Sequence, residues 1–491
     1  MALNLSTPEV ESREQRLGSI TGYFGTQKDM AAKGCAGCLG NRKRCFTTSS
    51  SCAHTHALSL LGPIEGALVV DHAPTGCGAG IINFSIGRIY AKEKGLGHYK
   101  IVSTDLREQD TVFGATDKLR ATIRAAYERH KPEIIFVTTS CVSSIIGDDV
   151  WSVVQEMREE LPVPVGFAAV EGIKSKIWAS GFDAYCHAVS DAILTEPRKK
   201  TDSVNYIAFN EFGRELLDPL IERLGYKVVY LTGNSTMEDY RAASQSALSF
   251  GQCGAQSSYL AGALEQKFGV KYFQSHLPFG GIGFERFYRD IAKFLGKEDV
   301  AETVIAEERA KYGPELARLR EVLAGKTALI ALGASYAYEY SRILRELGIT
   351  PKHAVAYHYD PRLDNQSDDL VAAAADALEL DDDIDTTVND AQELETYLLV
   401  KREKPDLILS RAHGASAWGA LCGVPAVEGR ISLHIFGYPG LVALGRVIEE
   451  ELANRNFVRK LGAVFRSPFT EEFERRDPHS FFEDEGDGAI G

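Results

Sequence analysis

Short runs of consecutive apolar residues alternate along the chain with stretches in which apolar positions recur every three or four residues. The runs Gly66–His72, Ile134–Thr138, Val163–Ala169, Val204–Phe209, Lys227–Leu231, Ala328–Leu332 and Leu407–Leu409 predict buried strands. The stretches Asp117–Arg129, Asp148–Glu159, Ser257–Phe268 and Glu339–Leu347 predict helices with one apolar face. Strands that are apolar throughout, separated by helices, belong to sheets covered on both sides, so the fold class is α/β with mostly parallel sheets. Breaks at Thr195–Ser203 and near Gly325, after a long charged helix, divide the pattern into three Rossmann-like domains over residues 1–200, 201–325 and 326–491. A helix over Leu441–Leu461 is expected to pack back across the body, and the acidic stretch Glu471–Asp487 reads as a solvated tail or a dock for a basic partner.

With 491 residues, 44% of them hydrophobic, the chain has apolar material for two or three cores. No window approaches the roughly 20 apolar residues of a membrane helix. Met1–Arg13 lacks the basic-then-apolar order of a secretory signal, so the expected compartment is the cytoplasm. A net charge of −14, with no dense Lys and Arg face, argues against a nucleic-acid partner. Thiols stay reduced in that compartment, which leaves the nine cysteines to metal ligation or burial.

Ligands of open α/β sheets sit where strands turn into helices, and several cysteines fall there. Cys77 follows the Gly66–His72 run in Pro74-Thr75-Gly76-Cys77-Gly78-Ala79-Gly80, where glycine lets backbone approach a bulky group; a cluster or a phosphate would suit it, although no Walker or dinucleotide spacing is met. Cys141 follows Ile134–Thr138 ahead of Gly147-Asp148-Asp149, whose carboxylates can cap the next helix; a stabilised thiolate and a buried structural thiol are equally compatible with that setting. Cys52 opens a segment preceded by Cys35, Cys38 and Cys45, which fit a separate small cluster, a zinc site or spare thiols. Cys253 begins a helix in Gln252-Cys253-Gly254-Ala255, and His434 lies beyond the strand end at Val424–Val427, as a ligand or as a satisfied polar group.

Taken together, Cys52, Pro74-Thr75-Gly76-Cys77-Gly78, the run Asp105-Leu106-Arg107-Glu108-Gln109-Asp110-Thr111-Val112-Phe113-Gly114, and Cys141 with Ile146-Gly147-Asp148-Asp149 resemble the nitrogenase component 1 α-subunit family over about residues 50 to 460. The resemblance implies a three-domain fold with clusters at domain and subunit interfaces. It implies that Cys52, Cys77 and Cys141 hold half of an eight-iron, seven-sulfur P-cluster shared with a β-type subunit in an α2β2 heterotetramer. Cys253 and His434 match the ligands at opposite ends of a large iron–sulfur cofactor, either carbide-containing with eight irons and nine sulfurs or a heterometal relative.

Where the family's dinitrogen reducers carry a glutamine, a histidine and a lysine around the cofactor, this chain has Trp178, Phe182 and His413, and the loop touching the cofactor reads Gly333-Ala334-Ser335-Tyr336. These replacements remove proton-donating and anion-anchoring groups and add aromatic bulk, which favours a hydrophobic substrate. The pattern is most similar to methylthio-alkane reductases, which release methanethiol and a hydrocarbon from small thioethers. That likeness implies Trp178 and Phe182 as substrate-pocket residues, Gly333, Ser335 and His413 as cofactor contacts, and electrons from an ATP-hydrolysing reductase with a four-iron, four-sulfur cluster. No Walker lysine motif occurs in this chain, so ATP is expected on the partner. Lys174, His187, His358 and His413 are candidates for proton delivery. A nitrogenase α subunit and a cofactor-assembly scaffold are the competing readings.

Overall fold

The apolar runs become the strands of three sheets. A computed structural model describes residues 2–33, 52–79, 100–197, 199–208, 213–273, 277–364, 383–390, 392–410, 414–428 and 435–480, with backbone alone for residues 31–33, 334, 335 and 428. The first strand, β1 (Tyr23–Thr26), joins the third sheet. The first sheet contains β2 (Ala67–Asp71), β3 (Ile101–Ser103), β4 (Ile134–Thr138) and β5 (Val165–Ala168) in the spatial order β3-β2-β4-β5. The second contains β6 (Ser203–Ile207), β7 (Lys227–Leu231), β8 (Leu248–Gly251) and β9 (Lys271–Tyr272) in the order β7-β6-β8-β9. The third adds β10 (Thr327–Leu332), β11 (Thr350–Ala356), β12 (Asp385–Val388), β13 (Leu407–Ser410) and β14 (Ala426–Glu428) in the order β1-β12-β11-β10-β13-β14. Only the β1–β12 ladder among the described residues is antiparallel.

Each sheet is laid down in the same way: a first strand, neighbours on one side, then a crossing to the other side. The crossing leaves a switch point between β2 and β4, between β6 and β8, and between β10 and β13. Ligands of open parallel sheets bind beyond the carboxyl ends of the strands at such a point.

Two compact units divide the chain. The first, Met1–Arg16, Ser50–Glu211 and Tyr226–Gln274, holds the first and second sheets; the other, Leu17–Ser49, Phe212–Gly225 and Ser275–Gly491, holds the third. In the first unit the strands alternate between two cores, as a period of two requires. Val69 and Phe136 face a core that also contains Leu58, Tyr185, Ile207 and Leu260, while Val70 and Val137 face Leu119, Ile123, Val153 and Met157 on the opposite side. At the centre of the larger core the helix Ser180–Ala192 packs against the helices Ala53–Leu61 and Gly254–Phe268.

A buried ion triad fixes that central helix. Arg16 reaches both carboxylate oxygens of Asp183, Oδ1 at 3.0 Å and Oδ2 at 2.9 Å, and Arg13 reaches Oδ1 at 3.0 Å while its Nε donates to Ala179 O. Arg13 also donates to Ala255 O in the helix Gly254–Phe268, so residues near the chain's start tie two core helices together.

In the other unit the helix expected over Leu441–Leu461 is two helices, Gly437–Ala453 and Asn456–Val464. The break falls at Asn454-Arg455; asparagine's side chain competes with the helical backbone, which makes it a poor interior residue. Gly437–Ala453 packs on the helices Gly280–Leu295 and Glu298–Leu323, and a Cβ on Gly445 would lie 2.8 Å from Leu319 Cδ1, so the approach needs a glycine. The acidic stretch is also tied down in part, against the expectation of a solvated tail. Glu474 accepts from Tyr397 Oη at 2.6 Å and pairs with Lys401, while Phe469 and Phe473 pack beside Tyr397; residues 481–491 lie outside the described residues.

Asp183→Ala leaves two buried guanidinium groups without their carboxylate and is expected to destabilise the first unit by about 3–5 kcal/mol. Chemical denaturation checks this; a loss smaller than about 1 kcal/mol would show that water or backbone takes over the pairing.

Candidate metal-cluster site

Three thiols meet at the switch point of the first sheet. Cys77 follows β2 in a turn closed by its N–H to Pro74 O at 3.0 Å, and Cys141 follows β4 as the first residue of the helix Cys141–Ile145, capped by Ser140. Cys52 is the N-cap residue of the helix Ala53–Leu61. The loop after β5 completes the cradle. A Cβ at Gly172 would stand 3.2 Å from Cys52 Sγ and 3.6 Å from Cys141 Sγ, so both sulfurs border the space of one missing methyl group. Cys52 is exposed, and Cys77 and Cys141 are half-buried. Burial pushes the Cys77 thiol up to about 11, with the Asp71 carboxylate and the Cys52 and Cys141 sulfurs adding to the rise. The three sulfurs therefore lie within one another's electrostatic reach.

Hydrogen bonds hold these segments in register. His72 lies between Thr104 Oγ1 at 3.1 Å and Asp148 Oδ2 at 2.9 Å, with its pKa lowered by burial against the opposing pull of Asp148. Ser140 Oγ donates to His72 O at 2.8 Å, which joins the Cys141 cap to the Cys77 turn. Asp105, at φ 52, accepts from Thr75 Oγ1 at 2.8 Å, and Lys118 donates to Asp105 O and to Asp110. Phe113 and Val112 on the Asp105–Gly114 run, Ile145 on the Cys141 helix and Ile173 beside Gly172 are each more than 60% exposed.

Cys253 occupies the matching position in the second sheet. It follows β8 as the N-cap residue of the helix Gly254–Phe268 and is 6% exposed, with its carbonyl accepting from Ser257 N at 2.9 Å and Ser257 Oγ at 2.8 Å. A Cβ on Gly251 would stand 2.1 Å from Ser257 Cβ, so only glycine permits this close strand-to-helix turn. Trp178 and Phe182 form an aromatic cluster with His56, the imidazole stacking on Trp178 at 4.3 Å between ring centroids and meeting Phe182 edge-on at 5.5 Å. Gly181 lets the Phe182 helix touch the Cys52 helix, since a Cβ there would lie 2.1 Å from Ala53 O.

Residues 52–453 match the model of the nitrogenase component 1 type oxidoreductases. This chain belongs to that family. The nitrogenase molybdenum-iron protein alpha chain of Methanosarcina barkeri is 30% identical over 356 residues, covering 70% of this chain and 65% of that one, and the alpha chain of Clostridium pasteurianum is 30% identical over 62% and 58%. The chain thus spans less than two thirds of either alpha chain's length. The iron-molybdenum cofactor biosynthesis protein NifE of Methanococcus maripaludis is 29% identical over 84% of both chains. Among solved structures, nitrogenase Cp1 at pH 5 superposes with a TM-score of 0.69 at 23% identity, over 92% of this chain and 96% of that one, which supports the α/β fold.

Within this component 1 fold, the third sheet places Gly333 as the N-cap residue after β10, at its switch point. Ser335 is described by its backbone in the helix Ala334–Glu346, and His413, His434, Cys35, Cys38 and Cys45 lie outside the described residues. Of the proton-delivery candidates, Lys174 pairs with Glu171, His187 is buried between Tyr259 Oη at 2.9 Å and Thr7 O at 2.7 Å, and His358 is buried 3.4 Å from Asp360. Asp71, His72, Ser140 and Gly172 were not singled out by the cysteine spacing. Asp71 carries one sequence signal, a carboxylate closing an apolar run.

In the metal-free chain Cys77 is expected to alkylate with a pH profile centred near 11, because the thiolate is the reactive form and the folded site keeps the proton on. Mass-spectrometric alkylation rates against pH check this, and a midpoint near that of an ordinary thiol would contradict it.

Proposed function

We propose that this chain is the α-type catalytic subunit of a nitrogenase-like reductase of the methylthio-alkane reductase type. Two electrons and two protons would convert a small thioether into methanethiol and a hydrocarbon. The observation that carries the reading is that Cys52 and Cys141 border one space at Gly172 and Cys77, on the neighbouring turn, lies within electrostatic reach of both, at a partly exposed place on the chain.

Three thiolates at a partly exposed place make half of a ligand set, which accords with a P-cluster completed by a β-type subunit in an α2β2 assembly. The exposed Phe113, Val112, Ile145 and Ile173 supply the apolar surface that a β-type subunit and an ATP-hydrolysing iron–sulfur reductase would cover. Cys253, buried at the second switch point, is assigned with His434 to the larger iron–sulfur cofactor, and Gly333, Ser335 and His413 to its surroundings. When bound, these groups supply the electron relay and the reducing chemistry.

The chain's own residues position and shield. Ser140 and His72 fix the Cys141 segment against the Cys77 turn, Gly172 leaves room at the sulfurs, and Ser257 locks the backbone of Cys253. The half-buried Trp178 and the buried Phe182 put aromatic bulk where the resemblance places polar groups in dinitrogen reducers, which supports a thioether over dinitrogen. The extent of the likeness to the NifE protein, 84% of both chains, favours a second reading as a cofactor-assembly scaffold.

Anaerobically purified complex, supplied with its reductase and ATP, is expected to release methane or ethylene from methylated thioethers and no ammonia from dinitrogen, as measured by gas chromatography and ammonia assay. Ammonia would restore the dinitrogen reading. Transfer of the large cluster to an apo-enzyme without turnover would favour the scaffold. Cys253→Ala is expected to abolish thioether reduction and lose the cofactor's iron while keeping the P-cluster's magnetic signal; full activity in this variant would refute the ligand assignment.

A further inference from the structure

The Asp71 carboxylate, fully buried at the end of β2, touches all three cysteine segments. Its Oδ1 lies 2.8 Å from His54 Nε2, two residues past Cys52, and accepts from Thr138 Oγ1 at 3.0 Å, three residues before Cys141. Its Oδ2 has no hydrogen-bond partner among the described residues and lies 3.5 Å from where a Cβ on Gly78 would stand, beside Cys77. A buried carboxylate oxygen without a donor is costly, so a compensating positive group is expected next to it. Iron bound by the neighbouring thiolates would bring positive charge to that side of the site, offset in part by the sulfur ligands around it.

We propose that Asp71 is a positioning residue of the cluster site, a fixed buried anion that braces the three thiol-bearing segments and lowers the reduction potential of the iron–sulfur group they hold. Negative charge beside a cluster favours the form that has given up electrons, so net charge near the sulfurs sets potential together with hydrogen bonding and burial. His54 moderates the effect by hydrogen-bonding the same carboxylate. The inference rests on the reading of Cys52, Cys77 and Cys141 as cluster ligands.

Asp71→Asn keeps the side chain's size and its Oδ1 acceptor but removes the charge. In the anaerobically purified complex with the β-type partner, the expected result is wild-type iron content and a more positive midpoint in an electron-paramagnetic-resonance redox titration. A midpoint that is unchanged or more negative at full iron loading overturns the proposal. Thr138→Val leaves the carboxylate but removes a hydrogen bond that it accepts, so its midpoint is expected to move negative; a positive or absent shift also overturns the proposal, and this variant decides the matter if Asp71→Asn fails to load iron. Iron missing from the wild-type complex would defeat the ligand reading itself, whereas loaded variants with an unmoved midpoint defeat only the role of Asp71.

Discussion

Three sulfurs separated by up to 89 positions in sequence, from Cys52 to Cys141, must be held within reach of one another in a site where burial raises the proton affinity of a thiol. Nothing in the local sequence of any one cysteine accomplishes this. It depends on a parallel sheet whose first strand is flanked by the third, so that the turns after β2 and β4 open side by side, with the loop after β5 closing over them at Gly172. Side-chain hydrogen bonds then fix the arrangement: Ser140 to the His72 carbonyl, His72 to Asp148, and Asp71 to His54 and Thr138. Removing the sheet order would disperse the sulfurs, whereas removing one of these bonds would only loosen them.

The same logic recurs in the other sheets. Cys253 stands past β8, and Gly333 past β10, each beside the first-strand crossing of its own sheet. A single way of winding the chain thus opens one switch point per sheet, and the side chains placed there decide what can be held. Residues 2–16, outside the family match, add a feature of their own to the first unit, because Arg13 and Arg16 neutralise Asp183 next to Phe182 and connect that helix to the one Cys253 caps. Charge this deep is tolerated only when it is paired, which fixes the relative setting of the two helices.

Much of this was legible from the residues alone. Strands such as Ile134–Thr138, apolar on both faces, declare themselves, as do the helix start at Cys253 and the Asp149 cap, whose carboxylate accepts from Ser152 N at 3.0 Å. Strands with polar or glycine-bearing sequences, such as β11 (Thr-Pro-Lys-His-Ala-Val-Ala) and β8 (Leu-Ser-Phe-Gly), gave no apolar run, because their burial comes from partners distant in sequence. The break after Ala453 and the anchoring of Glu474 escaped for related reasons, one resting on a single asparagine and the other on Tyr397 and Lys401 in a distant helix. The cysteines were identifiable by resemblance, but Asp71 and Gly172 gain meaning only from three-dimensional neighbours.

The most direct measurement of the central claim is anomalous diffraction at the iron absorption edge from crystals of the anaerobically purified complex. The account requires a compact group of iron peaks bonded to the sulfurs of Cys52, Cys77 and Cys141. Iron located elsewhere in a fully metallated complex, with these three cysteines present as free thiols, would contradict it.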